Sequence, residues 1–159
     1  MTDRIIAIDI DDGGRVPPTP DIEQERRVAI LDLLEDNRFR LVPRDGGAAQ
    51  GPWRLSLGLR DRRLVLAIHS AEGQPAGEIH LSLGPFRQVV KDYFRICESY
   101  YDAIRRLPPS QIETIDMARR GIHNEGARIL QERLEGKVEM DQDTARRLFT
   151  LVCVLQWGE

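Results

Sequence analysis

The sequence predicts an α+β fold: an antiparallel β-meander packed against C-terminal helices, with an N-terminal strand and helix ahead of it. Three observations carry that expectation. Trp53, Leu55, Leu57 and Leu59 alternate with Arg54, Ser56, Gly58 and Arg60, a period of two, and strand-like runs follow at 63–69 and 78–83 after short links. From residue 85 the period lengthens, with Phe86, Val90, Tyr93, Cys97, Tyr100 and Ile104 stepping by four and three. Helical spacing then continues to the C-terminal region, where residues 148–155 (LFTLVCVL) are apolar on all sides.

The elements follow in order. Residues 4–10 (RIIAIDI) read as a short strand, ended by Gly13-Gly14 and the prolines at 17, 18 and 20. Thr19 and Pro20 read as an N-cap and first helical position, with Asp21 and Glu23 favourable to the helix dipole. That helix is expected to run to about Asp36 and to bury Ile22, Ala29, Ile30, Leu33 and Leu34. Residues 38–42 read as a second short strand and 43–52 as a Gly/Pro-rich loop. Asp61-Arg62 is the turn between the first two strands of the meander. The helix over 85–106 holds all three tyrosines and two of the four phenylalanines, so it is expected to anchor the core. Pro108-Pro109 ends it, and Ser110 to Glu113 has the S-x-x-E pattern of a capping box. Ile112, Ile115, Ile122, Gly126 and Ile129 extend the next helix to about Leu134, with a kink or an interruption expected near Gly121. Gly126 falls on its apolar face, where a missing side chain permits close approach of a neighbour. Asp141 or Asp143 caps a last helix through Leu155, placed either in the core or in a dimer interface. With no repeat, linker or low-complexity segment, residues 1–159 read as a single domain.

Composition narrows the class. A chain of 159 residues can bury roughly 70% of its unfolded surface. The net charge of −3 argues against a nucleic-acid partner, which usually requires a basic stripe. Positive charge is almost all arginine, Lys91 and Lys137 being the only lysines; the ordinary reading is a GC-rich genome. Cys97 and Cys153 lie within apolar helical patterns and read as small hydrophobes. The first residues offer too short an apolar run for a signal peptide, and no segment approaches the ~20 apolar residues of a membrane span. A cytoplasmic, reduced and soluble chain is the expectation.

Three constellations bear on chemistry. Asp9, Asp11, Asp12 and Gly13 follow an apolar strand, a pattern similar to the opening of haloacid dehalogenases, but with an extra Asp and no Thr. A solvated acidic strand end is the simpler reading. His69 and His80 flank one strand connection and would face each other in a simple hairpin centred on Gln74-Pro75, with His123 as a third ligand for Zn²⁺. Two surface imidazoles are the commoner outcome, and neither a metal nor a cofactor is expected. Asp116, Arg119, Arg120, His123, Asn124 and Glu125 form the densest set of groups able to bind an anion or move a proton. The plainer alternative there is an Asp116–Arg120 salt bridge along a helix.

Several stretches together resemble a bacterial family, uncharacterised protein family 0262 in the UPF series. They are residues 20–23 with 25–26, 29–35 (AILDLLE), 90–101 (VKDYFRICESYY), 109–113 (PSQIE), 115–117, 119–125 (RRGIHNE) and 144–155 (TARRLFTLVCVL). The resemblance spans nearly the whole chain and implies a small soluble bacterial protein. It brings no activity, cofactor or catalytic residue with it. Function is therefore unknown from sequence. The first expectation is a non-enzymatic cytoplasmic protein acting by contact with another protein, a second copy of the chain being one candidate. The alternative is a small-molecule or metal-dependent hydrolase using the Asp116–Glu125 cluster.

Overall fold

The computed structural model describes residues 2–11, 18–43 and 50–157. Asp12, Gly13, Gly14 and Pro17, and the middle of the 43–52 loop, lie outside the described residues.

The fold is α+β. The meander is formed by β3 (Trp53–Arg60), β4 (Arg63–Ser70) and β5 (Pro75–Ser82), antiparallel throughout. Alternation does what it implies. Leu55 lies opposite Ile68, Leu57 opposite Leu66 and Leu64 opposite Leu81, and all six are buried on one face. Asp61 and Arg62 both take positive φ, 52° and 62°, the twist that a two-residue hairpin requires. The N-terminal strand β1 (Ile5–Asp11) joins the sheet edge beside β3 in parallel, giving the order β1-β3-β4-β5 and a mixed sheet.

α1 (Pro20–Glu35) begins as expected, the Thr19 hydroxyl accepting from the Ile22 amide. It buries Ile22, Glu25, Ala29 and Leu33. β2 (Phe39–Leu41) pairs not with the meander but with β6 (Val138–Met140), a strand the sequence reading did not contain. Three residues are too few to show a period, so only the pairing reveals it.

A 3₁₀ turn over Gly84–Phe86 leads into α2 (Arg87–Arg106). Phe86, Val90, Tyr93 and Cys97 are buried as the seam requires, but Ile104 is 45% exposed and Ala103 takes the buried position in the last turn. α3 (Pro109–Arg133) starts one residue before the expected cap. Pro108 is the N-cap and Pro109 the first helical residue, so Ser110 makes no capping bond. Proline's fixed φ and missing N–H suit that first position. The expected interruption at Gly121 does not occur: α3 is continuous, and Gly121 faces open space. Gly126 does meet a close neighbour, the ring of Phe149.

α4 (Gln142–Leu155) is capped by Asp141, whose carboxylate accepts from the Thr144 amide at 3.0 Å. Ten of its residues are buried, among them Leu148, Phe149, Leu151, Val152 and Cys153. It packs on α1, α3, β1 and β3 within the chain. The all-round apolar character is thus used in the core, the first of the two placements expected for this helix. No described helix is long and apolar enough to cross a membrane.

Candidate functional site

α1, α3 and α4 converge around a cleft of about 240 Å³ whose lining includes Glu25, Asp32, Arg119, His123, Arg146 and Arg147. At its floor lies a buried carboxylate. Glu25 occupies an apolar seam position between Ile22 and Ala29, which carries its side chain inward. The Arg119 Nη2 donates to both Glu25 oxygens, at 2.7 and 2.8 Å. The Tyr101 hydroxyl donates at 2.7 Å, the Tyr93 hydroxyl at 3.2 Å and the Cys97 thiol at 3.6 Å. The Arg119 guanidinium lies 4.8 Å from the Tyr100 ring centroid, a cation–π contact.

These contacts set the protonation states. Burial alone would push the Glu25 carboxyl up, but the charge and hydrogen bonds of Arg119, helped by Tyr101 and Tyr93, hold it below the usual range. Burial, with the charge of Glu25, pushes the Cys97 thiol up to about 12 and raises the Tyr93 and Tyr101 hydroxyls too. The Cys97 thiol and the Tyr93 and Tyr101 phenols therefore stay protonated at neutral pH.

His123 is 9% exposed, four residues beyond Arg119 on α3. Its Nδ1 lies 2.8 Å from the Arg119 carbonyl oxygen, which can only accept, so Nδ1 carries the proton. In the neutral ring Nε2 then holds a lone pair. The imidazole stands edge-on to Tyr93 and Phe149, with centroids at 5.4 and 6.1 Å. Burial holds it below its ordinary value, the charges of Arg119 and Arg146 act the same way, and the bond to the Arg119 carbonyl and the charge of Glu25 oppose them.

The six sequence-predicted residues separate. Arg119 and His123 line the cleft together. Asp116 forms the helical salt bridge with Arg120 at 3.0 Å and approaches Arg119 at 3.9 Å. Arg120 and Asn124 are exposed, and Glu125 pairs on the surface with Arg128. Sequence reasoning missed Glu25, Asp32, Arg146 and Arg147. Glu25 left a signal, a carboxylate at a seam position of an amphipathic helix; Arg146 and Arg147 left none.

The histidine constellation does not assemble. The β4–β5 turn is tight, with the Ser70 amide bonding the Gln74 carbonyl at 2.8 Å and a register shift at Ile68/His69. His69 therefore faces Pro75, and His80 faces Val65. His80 instead bonds Glu78 at 2.7 Å, beside Arg60. Among the described residues no group of three or more His, Cys, Asp or Glu side chains is placed to hold a metal ion. Asp9 and Asp11 stand on the outer sheet face opposite Ser56 and Gly58; Asp12 and Gly13 are outside the described residues.

His123→Ala should cost about 1–3 kcal/mol, since it empties a packed position and removes a hydrogen bond. The native imidazole also leaves a pH signature. In the unfolded chain it takes up its proton near pH 6.5; in the fold it does so only at lower pH. Between those values the unfolded state binds more protons, so stability falls as pH falls. Urea unfolding of the native chain should show that decline below about pH 6.5, and His123→Phe should lose it. Equal slopes for both proteins would mean a solvated imidazole.

The family model described as uncharacterised protein family UPF0262 matches residues 2–158. A UPF0262 protein of Cereibacter sphaeroides (strain ATCC 17025 / ATH 2.4.3) is 68% identical over 156 residues, 98% of this chain and 99% of its own length. UPF0262 proteins of Roseobacter denitrificans and Ruegeria pomeroyi are 67% and 66% identical, each over 98% of this chain and over 98% and 97% of their own lengths. No solved structure matches the chain.

Proposed function

We propose a function for a chain that belongs to the uncharacterised protein family UPF0262: it is a non-catalytic binding protein that takes a small charged molecule in the cleft between α1, α3 and α4. The observation that carries this reading is the contrast between the floor of the cleft and its walls. Glu25 is satisfied by the Arg119 Nη2 on both oxygens and by two tyrosine hydroxyls, while the Arg119 Nε is buried with no acceptor. Around them, Asp32, Arg146, Arg147 and the His123 Nε2 line the same concavity with hydrogen-bonding capacity to spare. Pockets with a rigid floor and a few convergent polar groups are the usual form of a small-ligand site.

A hydrolase reading finds no support. The thiol and phenols at the floor are held protonated, and the Thr150 hydroxyl donates to the Arg146 carbonyl at 3.3 Å. None is an activated nucleophile. The reading places the chain in the cytoplasm, a location supported by the two free buried thiols, Cys97 and Cys153.

The test is a titration followed on the His123 ring resonances by NMR. Phosphate, dicarboxylates, diamines and amino acids are added separately to the full chain. At least one should move those signals saturably, and Arg146→Gln or Asp32→Asn should weaken that response at least tenfold. A His123 spectrum that no probe moves would remove the binding reading.

A further inference from the structure

The chemistry of the cleft walls specifies more than "charged". Three guanidiniums and three carboxylates line the cleft, so its formal charge is balanced. Glu25 and Arg119 cancel as a pair. What remains is Arg146 and Arg147 against Asp32 and Asp143. A simple anion entering here meets two carboxylates, and a simple cation meets two guanidiniums.

Unmet hydrogen-bonding groups line the cleft on all three helices. A guanidinium has five N–H donors. Arg146 uses one, at 3.4 Å to Asp143, and its Nε is buried with no acceptor. Arg147 uses one, donating from Nη1 to the Asp36 carbonyl at 2.9 Å. Donors are therefore in excess on α4. On α1, the Asp32 carboxylate has no hydrogen bond or ion pair among the described residues, so its acceptors are open. On α3, the His123 Nδ1–H is taken by the Arg119 carbonyl and the Nε2 lone pair has no partner among the described residues, while the Arg119 Nε, at the floor, is a buried donor with no acceptor. Val28, 41% exposed on α1, adds an apolar lip.

We propose that the cleft takes a small zwitterion, an amino-carboxylate whose carboxylate meets Arg146 and Arg147 and whose ammonium group meets Asp32 and the His123 Nε2. The inference rests on the binding reading above and names its ligand class. Each end of such a molecule supplies what one wall lacks: acceptors for the guanidiniums, donors for the carboxylate and the imidazole. A volume of about 240 Å³ confines the ligand to a small molecule.

The experiment compares three versions of each probe on the intact chain by NMR of the His123 ring. The proteinogenic amino acids are titrated first. Any that binds is then compared with its methyl ester, which lacks the carboxylate, and its des-amino acid, which lacks the ammonium group. At least one amino acid should bind saturably, with both partial analogues at least tenfold weaker. Arg146→Gln should weaken the amino acid and the des-amino acid but leave the ester unchanged. Asp32→Asn should weaken the amino acid and the ester but leave the des-amino acid unchanged. Asp32 is exposed and Arg146 half-buried, so both variants keep the core, which circular dichroism verifies. If phosphate or a des-amino acid binds as tightly as any amino acid, the zwitterion is overturned while binding in the cleft stands. If no probe moves the imidazole, both fall.

Discussion

Arg119→Met should cost about 3–5 kcal/mol at neutral pH, the largest loss expected from any single side chain in the cleft. The reason is what it leaves behind. Glu25 is buried, and its charge is tolerated because Arg119 lies on both carboxylate oxygens. Removing one partner of a buried ion pair strands the other charge in a poorly solvated site. Two tyrosine hydroxyls and a weak thiol donor do not replace a guanidinium. The pH dependence identifies the cause. In the native protein the Glu25 carboxyl sits below its ordinary value, so its contribution is present above about pH 4.3 and is lost as pH falls through the lower folded value. In Arg119→Met, burial outweighs the tyrosine hydrogen bonds that remain and raises the carboxyl, so the folded form takes up its proton first and gains stability as pH falls. The deficit should therefore shrink between neutral pH and about pH 4. Adding Glu25→Gln to Arg119→Met should recover part of the loss at pH 7, because an amide has no charge to strand. Urea unfolding at both pH values reads all three results. A single-variant loss below about 1 kcal/mol, or one independent of pH, would show that the pair is solvated.

Gly126→Leu carries the second large effect. A Cβ at position 126 would stand 2.4–2.5 Å from three carbons of the Phe149 ring, far inside van der Waals contact. That ring has no exposed surface and is hemmed in by Tyr93, 6.0 Å between centroids, and by His123. It has nowhere to swing, so even a methyl group displaces α3 from α4, and leucine should cost at least about 1–3 kcal/mol. Gly121 in the same helix supplies the control. Nothing lies within 4 Å of its would-be Cβ, so Gly121→Ala should stabilise by up to about 1 kcal/mol through helix propensity alone. Opposite shifts in melting temperature for the two glycines are expected. A silent Gly126→Leu would mean that α3 and α4 do not pack through this contact.

Much of the secondary structure was legible because it follows from periodicity. The β3–β5 meander, the seams of α1 and α2, the Thr19 cap and the extent of α4 all repeat a local rule over enough residues to be recognised. Departures occurred where a local rule was outweighed. Ser110 matched a capping box, but Pro109 claimed the first helical position. Gly121 weakens a helix in isolation, yet the long apolar seam of α3 carries it through. His69 and His80 missed each other because the turn between them is tighter and centred earlier than an even division of the chain suggests.

The site was half legible. Arg119 and His123 stood out because they are close together in one helical stretch, where spacing of four puts side chains on one face. Their partners lie elsewhere: Glu25 is 94 residues from Arg119 in sequence. Fold class, most elements and their buried faces could be read from the residues alone, since burying apolar surface is a local pattern with a period. Tertiary structure alone decided which helix faces meet, that β1 adds in parallel and β2 pairs with β6, and that α4 is consumed inside the chain rather than between two chains. It alone decided that a carboxylate from α1 and a guanidinium from α3 neutralise each other at the floor of a cleft walled by α4. Charge compensation acts through space at a few ångströms, and residues that satisfy it need share no spacing along the chain.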